Sequence, residues 1–365
     1  MPLRTLNFEH AAPRKGRGAG INPEGRFEKV VREAYEDGWD AIDDPGLRPL
    51  ATQVTVEHAK SIISRNNSPD LPFTQSINPY RGCEHGCIYC YARPSHAYVN
   101  LSPGVDFETK LFAKVNAAEL LRRELARPGY RCEVIALGAN TDPYQPIERE
   151  YRITRGVLEV LAEFGQPVGI VTKNALIERD IDILGPMARR NLVNVYVSIN
   201  NLDHDLARRL EPRCSAPARR LETIRRLAAA GIPVGVLVAP VIPFLTDHQI
   251  EPVLDAASAA GARSAGYVLM RLPWEVKDLF RDWLRTHYPL KEEHVMSRVH
   301  QMRGGRDNDP DFGTRMRGSG EFADLLRQRF DMASRRYGIN RRDHVRALDV
   351  THFRKPEPDG QLALF

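Results

Sequence analysis

The stretch Asn78-Pro-Tyr-Arg-Gly-Cys83-Glu-His-Gly-Cys87-Ile-Tyr-Cys90-Tyr-Ala-Arg93 sets three thiols in a C-x3-C-x2-C run closed by an arginine. Three soft donors so close together suit zinc or an iron–sulfur cluster. A closed structural zinc site takes a fourth protein ligand. His85 is the nearest candidate, but it lies between two of the cysteines, where its ring is sterically poor, and no second C-x2-C or H-x3-H pair occurs downstream. A 4Fe-4S cluster on three thiolates instead leaves one iron with an open position, and an open position separates catalytic metal sites from structural ones. Cys132 and Cys214 stand alone, and five cysteines in 365 residues are too few, and odd in number, for a disulfide scaffold.

Working outward, short β-rich apolar runs at 133–138, 167–172, 193–199, 233–239 and 265–270 alternate with helical patterns near 154–163, 178–190, 218–230 and 247–260. A further strand is expected at 73–77, just before the cysteines. Strand and helix in alternation predict βα units and a parallel sheet. Six strands are too few for a full eight-stranded barrel, leaving a partial barrel or an open doubly wound sheet, and both collect ligands at the carboxyl ends of their strands. Those ends present Asn140, Thr141 and Asp142, then Thr172 and Lys173, then Ser198 and Asn200, then residues 240–243. This is a polar ring. Each member also has a structural reading: Asp142-Pro143 initiates turns, Lys173 suits a solvated loop, and Ser198 can end its strand and cap the next segment.

The cysteine spacing, with an aromatic Tyr89 before the last cysteine, resembles the radical SAM superfamily. Within it the chain resembles the spore photoproduct lyase-like, DNA-repair type branch and a bacterial subgroup of that branch. The matching strings are 78–87, Gly-Ala-Asn-Thr-Asp-Pro-Tyr-Gln-Pro-Ile-Glu at 138–148, Val-Thr-Lys-Asn at 171–174, Leu-Glu-Pro-Arg at 210–213 and Arg-Met-Arg-Gly at 315–318. The resemblance implies an α/β fold with a partial (β/α)6 TIM-type barrel. It also implies a 4Fe-4S cluster on Cys83, Cys87 and Cys90, and S-adenosylmethionine chelated to the open iron. Reductive cleavage of S-adenosylmethionine would give a 5′-deoxyadenosyl radical, with the electron from a flavodoxin or ferredoxin-type donor.

By the same resemblance Tyr89 lies with the cofactors, Asn140, Thr141 and Asp142 with the methionine moiety, Lys173 with its carboxylate and Ser198 with the ribose or sulfonium side. The backbone of the fifth strand would meet adenine. Tyr91 and Arg93 are candidates to cover the cluster. Glu211, Arg213, Arg219 and Arg220 are candidates for a charge network over the mouth, or for an ordinary solvated helix start. One departure stands out. Spore photoproduct lyases return a hydrogen from a cysteine near the end of the second strand, where this chain has Asn140-Thr141-Asp142; Cys132 begins that strand on the opposite rim, and Cys214 can reach the mouth.

Composition agrees with a globular chain: 42% hydrophobic and 27% charged residues argue against disorder, collagen-like repeats and a membrane class. The longest apolar run, 231–245, is broken by Pro233, Pro240 and Pro243 and is too short to span a bilayer. The Met-Pro-Leu-Arg start reaches no apolar segment of a secretory signal, which predicts a cytoplasmic protein. The expected organisation is a flexible arm at 1–50 with one short helix at 27–35 and little share in the core, a radical SAM core at 51–290, a helical Arg-rich extension at 291–350 and a tail at 351–365.

Between Arg298 and Arg346 twelve arginines face seven acidic residues, an excess equal to the whole net charge of +5. Guanidinium groups suit phosphate, so DNA is a candidate partner, although interleaved acids and a compositional bias account for the same count. The final Gln361-Leu362-Ala363-Leu364-Phe365 comes after a Pro-rich linker and resembles the pentapeptide that bacterial polymerases and repair proteins insert into the replicative sliding clamp. Folding of this tail back onto its own domain is the structural reading. Two other functions fit the residues: a radical SAM enzyme on a peptide or small molecule, and a non-enzymatic, metal-stabilised, DNA-associated binding module.

Overall fold

The computed structural model describes residues 14–27, 50–342 and 347–356. Its strands are β1 (Gln53–Glu57), β2 (Ile63–Arg65), β3 (Gln75–Ile77), β4 (Tyr80–Arg81), β5 (Lys110–Lys114), β6 (Ile135–Leu137), β7 (Val168–Thr172), β8 (Val193–Ser198), β9 (Val234–Val241) and β10 (Ser264–Leu269). The helices are α1 (Asp106–Thr109), α2 (Ala117–Ala126), α3 (Glu148–Tyr151), α4 (Ile153–Phe164), α5 (Ile181–Arg189), α6 (His204–Leu210), α7 (Pro217–Ala229), α8 (Ile250–Ala259), α9 (Val276–His287), α10 (Glu292–Met302) and α11 (Glu321–Arg336).

Seven strands form one sheet in the order β10-β9-β8-β7-β6-β3-β2. From β3 to β10 every neighbouring pair is parallel, and β2 adds an antiparallel edge to β3. A doubly wound sheet reverses its strand order at a switch point. Here the order runs without reversal, and β2 and β10 remain unpaired with each other, which makes the sheet a partial (β/α)6 barrel. The strands read as Val- and Ile-rich runs because both faces are covered. Ile77, Leu137, Ile170, Val195, Val197, Val236, Val238 and Leu269 are all buried.

Local signals account for the helices around the sheet. α4 buries Ile153, Val157, Leu158, Leu161 and Phe164 along one face and stops at Gly165, whose φ of 61° supplies the left-handed C-terminal cap. Pro217 opens α7, and the Asp203 carboxylate caps α6 by accepting from the amides of Asp205 and Leu206.

Several parts depart from what the periodicity predicts. A second, three-stranded sheet, β1-β5-β4, pairs residues 53–57 with 110–114 and carries the chain into the cysteine loop. Its strands are short and partly exposed, so they lack an apolar signature. The helical extension is interrupted over residues 303–320, where the punctuating glycines Gly304, Gly305, Gly318 and Gly320, with Gly313, all take positive φ and form a loop between α10 and α11 longer than the Gly-Gly and Gly-Ser-Gly breaks alone.

The described part of the N-terminal arm packs on the core. Ala19 and Ile21 are buried, and a Cβ on Gly18 would fall 1.8 Å from the Gly86 carbonyl oxygen, so only glycine allows that approach. The short helix expected at 27–35 lies outside the described residues apart from Phe27, and the pentapeptide 361–365 lies wholly outside them. Among the described residues no helix is long and apolar enough to cross a membrane.

Candidate active site

The cysteine loop leaves β4 at the carboxyl end of the parallel strands, and tight turns wind it. Cys83 N–H donates to the Phe107 carbonyl, Gly86 to Cys83, Cys90 to Cys87 and Arg93 to Cys90, at 3.0 to 3.3 Å. Gly82 has a φ of 72°, and a Cβ there would fall 2.6 Å from Leu111 and 2.9 Å from His96. Arg93 is the loop's internal brace. Fully buried, it donates from Nε to the Cys87 carbonyl, from Nη1 to the Pro103 and Gly104 carbonyls, and from Nη2 to the Gly86 carbonyl and the Glu108 carboxylate. Glu108 in turn accepts from the amides of Gly18 and Ala19, which ties the arm to the loop. Arg93 therefore shapes the loop from beneath.

All five cysteines are free thiols. Cys83 and Cys87 are buried and Cys90 is half-buried. Burial, with the neighbouring Cys87 and Cys83, pushes the Cys90 thiol up to about 12. Cys87 goes the other way. A hydrogen bond from Cys214, whose sulfur lies 3.8 Å away, and the Lys173 ammonium bring it down to about 7 despite burial. Lys173 is itself held above the ordinary lysine range: burial pulls it down, but Cys87, Glu211 and Cys214 outweigh that. Among the described residues no three His, Cys, Asp or Glu side chains converge into a metal cage. The donor set remains three unpaired soft thiols on one braced loop beside a fixed cation, which fits a group carried by three thiolates and open on its fourth side.

Around the loop, Tyr89 is buried and its hydroxyl donates to Glu211, while Asn200 Nδ2 donates to it at 3.4 Å. Glu211 pairs with the buried Arg220, whose guanidinium also donates to the Ser198 carbonyl at 2.8 Å and the Ser215 carbonyl at 2.6 Å. The expected charge network thus divides. Glu211 and Arg220 sit beneath the mouth, Arg213 pairs with Glu84 at 2.8 Å, and Arg219 turns away to Glu178. His85 points at Asp142, Nδ1 to Oδ2 being 3.4 Å, with Nε2 3.2 Å from Asn174 Nδ2. Asp142 further accepts from Thr172 Oγ1 and the Lys173 amide, both at 2.7 Å, and its carboxyl is held below the usual range by His85 and these donors despite burial.

The other ring residues differ in orientation. Asn140 is exposed, its amide bonded to Asn78 Oδ1 at 2.8 Å. The hydroxyls of Thr141 and Ser198, expected to face a cofactor, donate to the carbonyls of Tyr80 at 3.2 Å and Ala239 at 3.3 Å. Exposed Tyr91 donates its hydroxyl to the Ala139 carbonyl, and Arg271, just beyond β10, lies over its ring. Cys132 precedes β6 at the opposite rim and donates to Gln166, so Cys214 is the additional thiol beside the loop. The residues missed from sequence are Glu108 and Arg271, each isolated among ordinary neighbours in the chain, whereas Asn78 and Asn174 lie inside the motif strings 78–87 and 171–174 without a role of their own being read from them.

A model of the radical SAM superfamily matches residues 77–257. An uncharacterised protein of Mycobacterium tuberculosis is 40% identical over 225 residues, which cover 61% of this chain and 66% of that protein. The chain therefore spans just under two thirds of that relative's length. An uncharacterised protein of Methanocaldococcus jannaschii is 27% identical over 241 residues, covering 66% of this chain and 86% of its own. Among solved structures, a spore photoproduct lyase variant matches with a TM-score of 0.55 at 16% identity, covering 78% of this chain and 80% of the lyase. The same lyase complexed with dinucleoside spore photoproduct gives 0.54 at 15% identity over the same shares. At that identity the likeness is one of fold.

Proposed function

The chain belongs to the radical SAM superfamily, and from that premise we propose that it is a lyase-like radical SAM enzyme acting in the repair or modification of nucleic acid. The observation that carries this reading is the set of three unpaired cysteines on a loop braced by Arg93, at the carboxyl end of a partial barrel. Cys83, Cys87 and Cys90 would hold the 4Fe-4S cluster, whose chemistry with S-adenosylmethionine is reductive cleavage to a carbon radical. The chain's own residues prepare the site. Cys87 is ready to act as a thiolate near neutral pH because Cys214 and Lys173 favour its charge.

Lys173 keeps its positive charge and suits a carboxylate, and exposed Asn140 suits the methionine moiety. Thr141, Asp142 and Ser198 fix the backbone from behind these groups, and Tyr89 ties the loop to the Glu211–Arg220 pair. A flavodoxin or ferredoxin-type protein would supply the electron. Nucleic acid as substrate is supported by the fold shared with a lyase solved with a dinucleoside photoproduct and by the arginine excess between 298 and 346. The clamp-like Gln361, Leu362, Leu364 and Phe365 would bring the enzyme to DNA.

Anaerobic reconstitution with iron and sulfide, then reduction with S-adenosylmethionine present, should yield 5′-deoxyadenosine. Cys83→Ala, Cys87→Ala and Cys90→Ala should each remove both the iron–sulfur absorbance and the product. Cluster-loaded protein that forms no 5′-deoxyadenosine would refute the enzyme reading.

A further inference from the structure

Six large aromatic side chains stand exposed among the described residues: Phe27, Tyr91, Tyr98, Phe244, Trp274 and Phe312. Every one has an arginine over its ring. Arg26 lies 4.4 Å from the centroid of Trp274, 5.4 Å from Phe27 and 6.0 Å from Tyr98. Arg271 is 5.9 Å from Tyr91, Arg298 5.6 Å from Phe244 and Arg315 4.7 Å from Phe312. Their places in the chain gather five of the rings at the mouth of the barrel. Tyr91 and Tyr98 come after the cysteine loop, Phe244 after β9, and Trp274 after β10. Phe312 lies in the segment whose Met316 carbonyl accepts from the Leu269 amide at the end of β10.

Backbone conformation adds an independent observation. Of the six non-glycine residues with positive φ among the described residues, Asn100, Asn191 and Asn340 are of the type that tolerates it and Arg152 joins α3 to α4, whereas Phe244 at 60° and Trp274 at 54° are bulky rings for which the conformation is an outlier. Both rings are exposed, Trp274 by 64%, so burial of the ring does not compensate for the strain. Two of the cations also lack an ion-pair partner, although Asp70 and Asp309 act on Arg271 from further off. Neither Arg271 nor Arg298 meets a carboxylate among the described residues, and the Arg271 Nε is buried with no hydrogen-bond partner.

Arg26 is paired with Glu275 at 3.0 Å and Arg315 with Asp70, while Arg271 and Arg298 have no ion-pair partner among the described residues. Flat rings alternating with these guanidinium groups match a ligand that alternates π faces with anions. A duplex hides its base faces in its own stack, while an unpaired strand offers both faces and phosphates. We propose that this rim binds an unpaired nucleic-acid strand, with bases stacked on Trp274, Tyr98 and Phe244 and phosphates on Arg271 and Arg298, so that a nucleotide reaches the site already unstacked. The inference rests on the reading that the site acts on nucleic acid, and it specifies the form of that substrate.

Fluorescence anisotropy with the full chain, using labelled oligothymidine and a hairpin duplex of equal phosphate number, tests it. The strand should bind more tightly than the duplex. Trp274→Gly should weaken strand binding at least ~5-fold while leaving thermal stability unchanged or raised, since glycine takes this φ without strain. Trp274→Phe should restore most of the affinity, and Arg271→Met should reduce the salt dependence by about one phosphate contact. Equal affinity for duplex and strand overturns the proposal, as does undiminished binding by Trp274→Gly, with or without a loss of stability. Strand binding needs no cluster, so the two readings fail separately. Protein that yields 5′-deoxyadenosine but ignores the strand loses only this inference, and protein that grips the strand through Trp274 yet cleaves no S-adenosylmethionine loses only the enzyme reading.

Discussion

Arg93 matches its five N–H donors to five acceptors, four of them backbone carbonyls around the cysteine loop and the fifth the buried Glu108. Replacing it by methionine would strand the carboxylate and the carbonyls without donors. Breaking a buried pair from one side costs about 3–5 kcal/mol, so Arg93→Met should lower stability by that order in urea denaturation. Arg93→Lys should recover only part, because an ammonium has fewer donors and no planar fork. A loss under ~1 kcal/mol for the methionine variant, the size of an ordinary hydrogen bond, would show that the brace is not needed. The candidate cysteine triad was legible from its spacing, because three thiols within eight residues on one loop leave their mark in a single stretch. Arg93 was not, since an arginine three residues past a cysteine reads the same whether it braces the loop or floats over it. Thr141 and Ser198 were legible only as strand-end hydroxyls; that they donate to the carbonyls of Tyr80 and Ala239 was decided by the fold that brings those groups beside them.

At the scale of elements, Glu178 joins the turn after β7 to α7. It accepts from Arg219 Nη2 at 2.8 Å, Arg226 Nη1 at 3.0 Å and Thr223 Oγ1 at 2.7 Å. Burial pushes its carboxyl up, but these donors outweigh that and hold it below the ordinary range. A depressed carboxylate contributes stability above its unfolded pKa, roughly 4.3, and loses it as pH falls toward the folded value. Glu178→Gln should therefore cost about 1 kcal/mol at neutral pH, the size of one charge-assisted hydrogen bond in a partly solvated place. The difference in melting temperature from wild type should close as pH drops below ~4; a gap that persists undiminished there would contradict the ion-pair account. Among the helices α4, α5, α7 and α8 were well marked, their amphipathic repeats matching within ordinary boundary error, whereas α2, α6 and α9 went unread. The strands β1, β4 and β5 went unseen because two to five partly exposed residues carry too little periodic signal.

For the whole molecule, one distant segment is fixed at the end of β10 and two others converge on the cysteine loop. Residues 17–19 meet it through Glu108, the 210–215 segment bonds to Ile88 and His85, and Arg303 pins the loop at 314–315 to the end of β10 by donating to four carbonyls. The terminal pentapeptide adds the proposed tether to a larger assembly. Truncation after Gly360 should abolish binding to a bacterial sliding clamp in surface plasmon resonance while leaving iron content unchanged, and equal binding by the shortened chain would remove the tether from the account.

The sequence by itself determined a set of local facts: three thiols spaced for one group, and strands and helices in an alternation that only a parallel sheet can satisfy. The unreversed strand order, the pairing of Arg93 with Glu108, the approach of Cys214 to Cys87 across 127 positions, and the ring of arginine-covered aromatics were decided by the tertiary structure. The reason is physical. Periodicity and ligand spacing act over a turn or a strand and leave their mark within one stretch, while partners far apart in the chain constrain each other only after the backbone has brought them together.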